Sequence, residues 1–303
     1  MPVNPHSRGC LVQVRSLLPG LAIRPLALLF GAALLGAAAH SPAQEPAAPP
    51  PEPAAPVQAS QPAAAPLPCA KIWLGHEAEY EELLRTAKVT RVEELKIGVT
   101  RPHCAFVEPG LPFSRMAWKT LKPGMYKGFY ESYRSEIAAY ELDKLLGLGM
   151  IPPSVERHIK SEVGAAILWV EGVKGWDAKN PVRGPDKVAW ARQSVRLKMF
   201  DQLCGNTDRN QGNLLYDAEY HFILIDHSRA FREVVDLNQY PKPLFVDAEL
   251  WDRMQALTME TMQPTLGKWV SKGMLYAVLD RRDRMKRDID KLLAARGPSI
   301  WLR

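Results

Sequence analysis

Lys119, Glu136, Asp208, Asn213 and Asp226 are the residues whose types and spacing can do chemistry together. Lys119 closes the triplet Ala117-Trp118-Lys119 on a segment that reads as a strand, and period-two alternation puts Ala117 and Lys119 on one face. A small side chain leaves room for a nucleotide base, and an ammonium on the same face reaches phosphates when an acid fixes it. Glu136, in the first turns of a helical segment, can be that acid. Asp208 lies in a polar loop, an amide follows at Asn213, and Asp226 ends an apolar strand. Oxygen donors of this kind suit Mg2+ or Mn2+. In phosphoryl transfer one aspartate accepts the proton of the attacking hydroxyl, while an Asn and another Asp hold metal against the phosphates of ATP. Taken singly, each residue has a plainer use: Asp and Asn form turns, an acid suits a helix N-terminus, and a lysine suits a solvated strand. Their joint order favours the shared use.

The elements that must position these residues follow from hydrophobic periodicity. A helix is expected from Gly75, with Tyr80, Leu83, Leu84 and Ala87 at helical spacing and acids in its first turns. Residues 95–100, 103–107 and 115–121 read as short strands of a meander, with Pro109-Gly110 and Pro112 forcing a loop before the third. Residues 131–146 carry Ile137, Ala138, Leu142, Leu145 and Leu146 on one broad side, and Gly147 and Gly149 end that helix. A hairpin over 155–159 and 165–170 and a hinge over 171–175 come next. Beyond the hinge, 187–203 is helical, with Val188, Ala191, Val195, Met199 and Leu203 on one side. The polar stretch 205–212 then leads into strands over 213–216 and 222–225. Residues 247–295 are mostly helical, packing through Trp251, Met254, Leu257, Trp269, Leu275 and Leu279. Arg209 reads as a structural partner within its loop, and His221 and His227 as surface or packing residues rather than metal ligands.

In this layout D-R-N-Q-G-N at 208–213, followed by I-L-I-D at 223–226, resembles the catalytic and metal segments of atypical kinases. The type II phosphoinositide kinases share the D-R-x-x-x-N pattern. A longer resemblance is to the Golgi casein kinase family of secretory-pathway kinases. It rests on E-I-A-A-Y-E-L-D-K-L-L at 136–146, I-P-P-S-V at 151–155 and F-D-Q-L-C-G-N-T-D-R at 200–209, in matching order and spacing, and covers 95 to about 231. The resemblance implies an α+β, two-lobed protein-kinase-like fold: a β-rich N-lobe with one long helix over 69–172 and a mostly helical C-lobe over 173–303. It implies that Lys119 binds the nucleotide phosphates, that Glu136 pairs with it or reaches the metal, that Asp208 is the catalytic base and that Asp226 holds metal. Asn213 matches the lipid-kinase form of the second metal ligand. The family also favours a K-P pair at the end of this strand, so Lys122, before Pro123, competes with Lys119 from the opposite face of a regular strand. The chain departs from the pattern in three ways. It lacks the family's cysteine pairs, 108–114 holds one glycine and no G-x-G-x-x-G, and His227-Ser228-Arg229 follows Asp226. The implied acceptor is a protein Ser or Thr hydroxyl, then a glycan hydroxyl, then a phosphoinositide. A non-catalytic scaffold that binds a nucleotide or a peptide is the alternative from another class.

Composition sets the outer limits. The chain has 303 residues, a net charge of +6 and a pI near 9.1, which excludes a strongly charged nucleic-acid-binding tail. Nine of its 26 prolines fall in 44–68, an Ala/Pro-rich stretch without aromatic residues that reads as an extended linker. Arg8, Arg15 and Arg24 precede or flank an apolar run over 25–39, too short for the roughly 20 residues of a spanning helix. With Ser41-Pro42-Ala43 after it, 1–43 reads as a signal peptide, so export is expected, to periplasm, secretory lumen or exterior. After cleavage no stable membrane insertion is expected; an uncleaved anchor would also keep the domain outside the cytoplasm. The remainder carries +3, a balance that calls for no nucleic-acid partner. Cys69, Cys104 and Cys204 have no metal-binding spacing. An oxidising compartment permits one bridge, Cys69 to Cys104.

Overall fold

Short strands rich in small and β-branched residues build the first part of the chain around one sheet. The computed structural model describes residues 69–95 and 102–303. The expected signal peptide and linker, and the expected strand over 95–100 apart from Leu95, lie outside these residues. Helix α1 (Glu77–Thr86) carries Glu77 and Glu79 in its first turn, where the helix dipole favours acids, and buries Tyr80 and Leu84. It leads into β1 (Val89–Glu94), β2 (His103–Val107) and β3 (Arg115–Lys119), all antiparallel neighbours. A small hairpin, β4 (Gly124–Tyr126) and β5 (Phe129–Glu131), and helix α2 (Tyr133–Leu145) come before β6 (Ser154–Ile159) and β7 (Glu162–Leu168). The resulting sheet has the order β1-β2-β3-β7-β6, so α2 is inserted between β3 and its second neighbour β7.

Helix α2 departs from the expected one-sided pattern. Ser132 caps it by accepting from the Arg134 amide, and most of its circumference is buried, including Ser135, Glu136 and Asp143. The reason is that it serves two apolar clusters. Ala138, Ala139, Tyr140 and Leu142 join the large core of the following helices. Ile137 and Tyr133 pack with Ala165, Ile167 and Ala117 on the sheet. Polar residues on a helix so enclosed must find partners: Asp143, for example, accepts from the Met150 amide at 3.0 Å.

The expected hinge contributes β8 (Lys174–Gly175), which pairs with β9 (Leu214–Tyr216), itself the partner of β10 (Phe222–Leu224). Helix α3 (Lys187–Cys204) starts at Asp186, whose carboxylate accepts from Val188 and Ala189 amides. Its buried side is Trp190, Leu197, Met199, Phe200, Leu203 and Cys204, while Val188 is exposed, so the expected stripe is correct only in the second half. Trp190 sets the first half by packing edge-on against Phe222 at 4.5 Å between ring centres. Strand β11 (Val246–Asp247), α4 (Ala248–Gln255), α5 (Met259–Leu266), α6 (Lys272–Arg296) and β12 (Trp301–Leu302) complete the chain, with β11 and β12 parallel. Trp251, Met254, Leu257 and Leu275 are buried as expected; Trp269 and Leu279 are partly so.

No helix among the described residues is long and apolar enough to cross a membrane. The permitted Cys69–Cys104 bridge is not formed: Cys69, Cys104 and Cys204 are all free. Cys104 is buried on β2 opposite Ala117, whereas Cys69 lies against Asp217 and His221.

Candidate active site

Strand β3, helix α2 and the end of β10 converge on one ammonium. Met116 and Trp118 of β3 are buried in the sheet core, which turns Ala117 and Lys119 to the other face as alternation requires. There Lys119 Nζ donates to Glu136 Oε1 at 2.6 Å and to Asp226 Oδ1 at 2.9 Å. Lys122 is exposed and only its carbonyl is engaged, accepting from the Tyr126 hydroxyl at 2.9 Å. Of the two lysines, Lys119 is the one that lies among the carboxylates.

The three charges tune one another. Burial opposes the charge on Lys119, but the Asp226 and Glu136 carboxylates overcome it and hold the ammonium above its ordinary value. The Lys119 charge draws Asp226 down to about 2 against its burial. Burial pushes Glu136 up, against the pull of Lys119. The other oxygen of Glu136, Oε2, accepts from the His227 amide at 2.9 Å, which ties α2 to the residue after Asp226. Asp226 has φ +60, a left-handed conformation that Asn, Asp and Gly adopt most readily. It spends Oδ1 on Lys119 and on the Ser228 hydroxyl, leaving Oδ2 outside both bonds.

A tight backbone contact fixes where Lys119 sits. Gly164 on β7 lies so near that a Cβ there would strike the Lys119 carbonyl. Gly164→Ala is therefore expected to push β3 away from β7, costing about 1–3 kcal/mol in urea unfolding as overpacking does. An unchanged urea midpoint would show that β3 gives way freely.

The loop holding Asp208 and Asn213 is organised by residues that periodicity does not reveal. Buried Asp201, at the end of α3, accepts from Arg209 Nε at 2.9 Å and Nη2 at 3.0 Å, and from the Asn206 amide at 3.0 Å. Asn206 in turn accepts from the Asp208 backbone amide at 3.1 Å. Arg209 also donates to the carbonyls of Asn213 and Ile225, the latter at 2.9 Å, and contacts His227 Nε2 at 2.7 Å. Burial, and after it the Arg209 and Lys119 charges, hold His227 well below its ordinary value, so it is a neutral packing residue as expected. Arg209 is structural, but its reach goes beyond its loop to the strand that delivers Asp226. The Asn213 amide donates to the Asp208 carbonyl at 2.9 Å. The Asp208 carboxylate is one-third exposed, at 33%, and meets Arg229 at 3.3 Å. Arg229, which sequence reading passed over, also bonds buried Glu131 at 2.8 Å and covers the Phe129 ring. Only the D-R pair and the later arginine hinted at these contacts.

All five expected residues thus lie in one connected network. Lys119, Glu136 and Asp226 touch directly; Asn213 touches the Asp208 backbone, and Arg209 links that loop to the end of β10. Anionic oxygens around a fixed ammonium, beside a carboxylate one-third exposed, can seat a phosphate chain with a hard divalent cation and take up a proton.

No protein-family model and no curated protein matches the chain. Solved structures do. The chain is similar to the Golgi casein kinase, with TM-score 0.60 and 15% identity over 75% of this chain and 79% of that one. It is similarly related to the Golgi casein kinase with Mn and ADP bound, at TM-score 0.58 and 15% identity over 75% and 78% of the two chains. A Fam20 protein of hydra, solved with sugar, matches at TM-score 0.59 and 15% identity over 74% of this chain and 91% of that one. The protein has the α+β, two-lobed fold of the atypical kinases, as the sequence resemblance implied.

Proposed function

We propose that the protein is an exported kinase that transfers the γ-phosphate of ATP, with Mg2+ or Mn2+, to a hydroxyl acceptor, first of all protein Ser or Thr. The observation that carries this reading is the bridge from Lys119 to both Glu136 and Asp226. In this reading 69–172 and 173–303 are the two lobes, and the signal-like character of 1–43 supports export. Lys119 neutralises phosphate oxygens, held in place by two carboxylates so that no reorganisation is needed when the nucleotide arrives. The donors fit a hard cation: the free oxygen of Asp226 and the Asn213 side chain stand at the two ends of one hairpin, joined by the Ile225 amide donating to the Asn213 carbonyl at 3.3 Å. A bound cation would spread the charge of the β- and γ-phosphates. Asp208 orients the acceptor hydroxyl and receives its proton, and Arg229 aims that carboxylate. The Golgi casein kinase solved with Mn and ADP supports the choice of cofactors.

Thermal unfolding of the full chain tests the reading. ATP with Mg2+ or Mn2+ should raise the midpoint, by about 2.7 kcal/mol of stabilisation when free nucleotide is 100-fold above Kd. Asp226→Asn, which keeps the left-handed backbone acceptable, should abolish the metal-dependent part. No shift with millimolar nucleotide would refute the nucleotide site and leave a kinase-shaped scaffold. Labelled-phosphate transfer to Ser/Thr peptides, glycans and phosphoinositides in parallel then separates the acceptors.

A further inference from the structure

The turn of the β9–β10 hairpin, remote from the proposed phosphate site, gathers a different donor set. His221 Nδ1 lies 3.7 Å from Cys69 Sγ and 3.7 Å from Glu219 Oε2. Ligand atoms of Cys69, Glu219 and His221 all fall within 4.8 Å of one another. Around a tetrahedral Zn2+, with Zn–S about 2.3 Å and Zn–N or Zn–O about 2.0–2.2 Å, neighbouring donors stand roughly 3.3–3.6 Å apart. The two His221 spacings lie close to those edges, and Cys69 and Glu219 stay within 4.8 Å of each other.

Buried Asp217 explains why these donors meet. Its Oδ1 accepts from the Glu219 and His221 amides at 3.0 and 2.8 Å, which shapes the turn. Its Oδ2 accepts from the Ala70 amide at 3.4 Å, which brings Cys69 to the turn. Oδ2 also lies 3.1 Å from His221 Nδ1. A thiol, an imidazole and a carboxylate in line would suggest a nucleophilic relay, but here thiol and carboxylate face the same imidazole nitrogen. One nitrogen cannot take a proton from the thiol while giving its own to the carboxylate, so the arrangement does not serve a relay. It does serve a cation lodged at that nitrogen.

We propose that Cys69, Glu219 and His221 bind one Zn2+, with Asp217 positioning the ligands. Thiolate with imidazole selects a borderline-soft ion over Mg2+ or Ca2+. Because Cys69 directly follows the Ala/Pro-rich stretch, the metal would fasten the chain's entry to the tip of the hairpin whose other end carries Asn213 and Asp226. The pairing of Cys69 with a turn far along the chain is why cysteine spacing alone gave no metal pattern and why His221 reads from sequence as a surface or packing residue, an expectation that the proposed Zn2+ site reverses.

Titration of the reduced full chain with Co2+, then Zn2+, tests this in the absence of nucleotide. One equivalent of Co2+ should give a tetrahedral visible spectrum with a thiolate charge-transfer band, displaced by one equivalent of Zn2+. Cys69→Ser should lose the charge-transfer band, and Asp217→Asn should weaken affinity about 10–100-fold, as loss of a positioning group does. Asp226→Asn should leave the band intact. Failure of the wild-type chain to bind one equivalent, or an unchanged band in Cys69→Ser, overturns the site without bearing on the kinase reading.

Discussion

Asp208→Asn is expected to lower phosphate transfer by about 10²–10⁴-fold, the usual worth of a positioned general base, while ATP and metal still raise the unfolding midpoint. The two readouts separate because Asp208 touches neither Lys119 nor Glu136: its carboxylate meets Arg229, and only its backbone carbonyl is engaged by Asn213. Asparagine preserves that backbone contact and the size of the side chain, but an amide cannot accept the hydroxyl proton. Asp226→Asn should do the reverse and remove the metal-dependent part of nucleotide binding, since Asp226 pairs with Lys119 and in the proposed function offers the metal its free oxygen. Transfer by Asp208→Asn at the wild-type rate would refute the base assignment. Measuring kcat and KM separately sharpens the test, because a merely structural role would disturb both.

Arg209→Met should cost about 3–5 kcal/mol of stability, the effect of leaving a buried carboxylate unpaired. Arg209 is 13% exposed and Asp201 5%, and two parallel N–H donors join them in the fork geometry that only a guanidinium supplies. Arg209→Lys should recover only part of the loss, since one ammonium cannot reach Asp201, the Asn213 and Ile225 carbonyls and His227 at once. Combining Arg209→Met with Asp201→Leu removes the stranded charge. It should recover part of the stability by urea unfolding without restoring nucleotide binding, because the carbonyls before Asp226 and at Asn213 have lost their tie and Asn206 its acceptor. Full recovery of binding in that double variant would show the clamp to be dispensable for the site.

What the sequence made legible followed from local pattern. His103–Val107 and the α3 start at Lys187 agree with periodicity, and the five candidate residues lie in one connected network. Strand β1 escaped notice because V-T-R-V-E-E is an edge strand with mostly exposed side chains, and charged edges carry no clean alternation. The enclosure of α2 was hidden for the opposite reason: a helix wedged between two cores hides its Ser, Glu and Asp as well as its Leu. Val188 was misplaced because Trp190, two positions on, found Phe222 from a strand that is remote in sequence. Asp201, Asn206 and Arg229 could not be recognised from spacing, since their importance lies in whom they touch and not in how they recur.

The position of Lys119 also sets an order in which the chain can be put together. The Asn213 and Asp226 ends of the hairpin meet across 12 residues, as the Ile225 amide and Asn213 carbonyl show, whereas Lys119 and Asp226 are 107 residues apart. By loop-closure entropy the second contact is about 2 kcal/mol harder to close than the first. Asn213 and Asp226 are thus brought together cheaply and locally, and Lys119 joins them only when the long intervening segment, with α2, β6 and β7, is in place. The ammonium with both its carboxylates is in this sense a report on the joining of sheet and hairpin: a fragment ending before Asp226 holds Lys119 and Glu136 but lacks the second carboxylate.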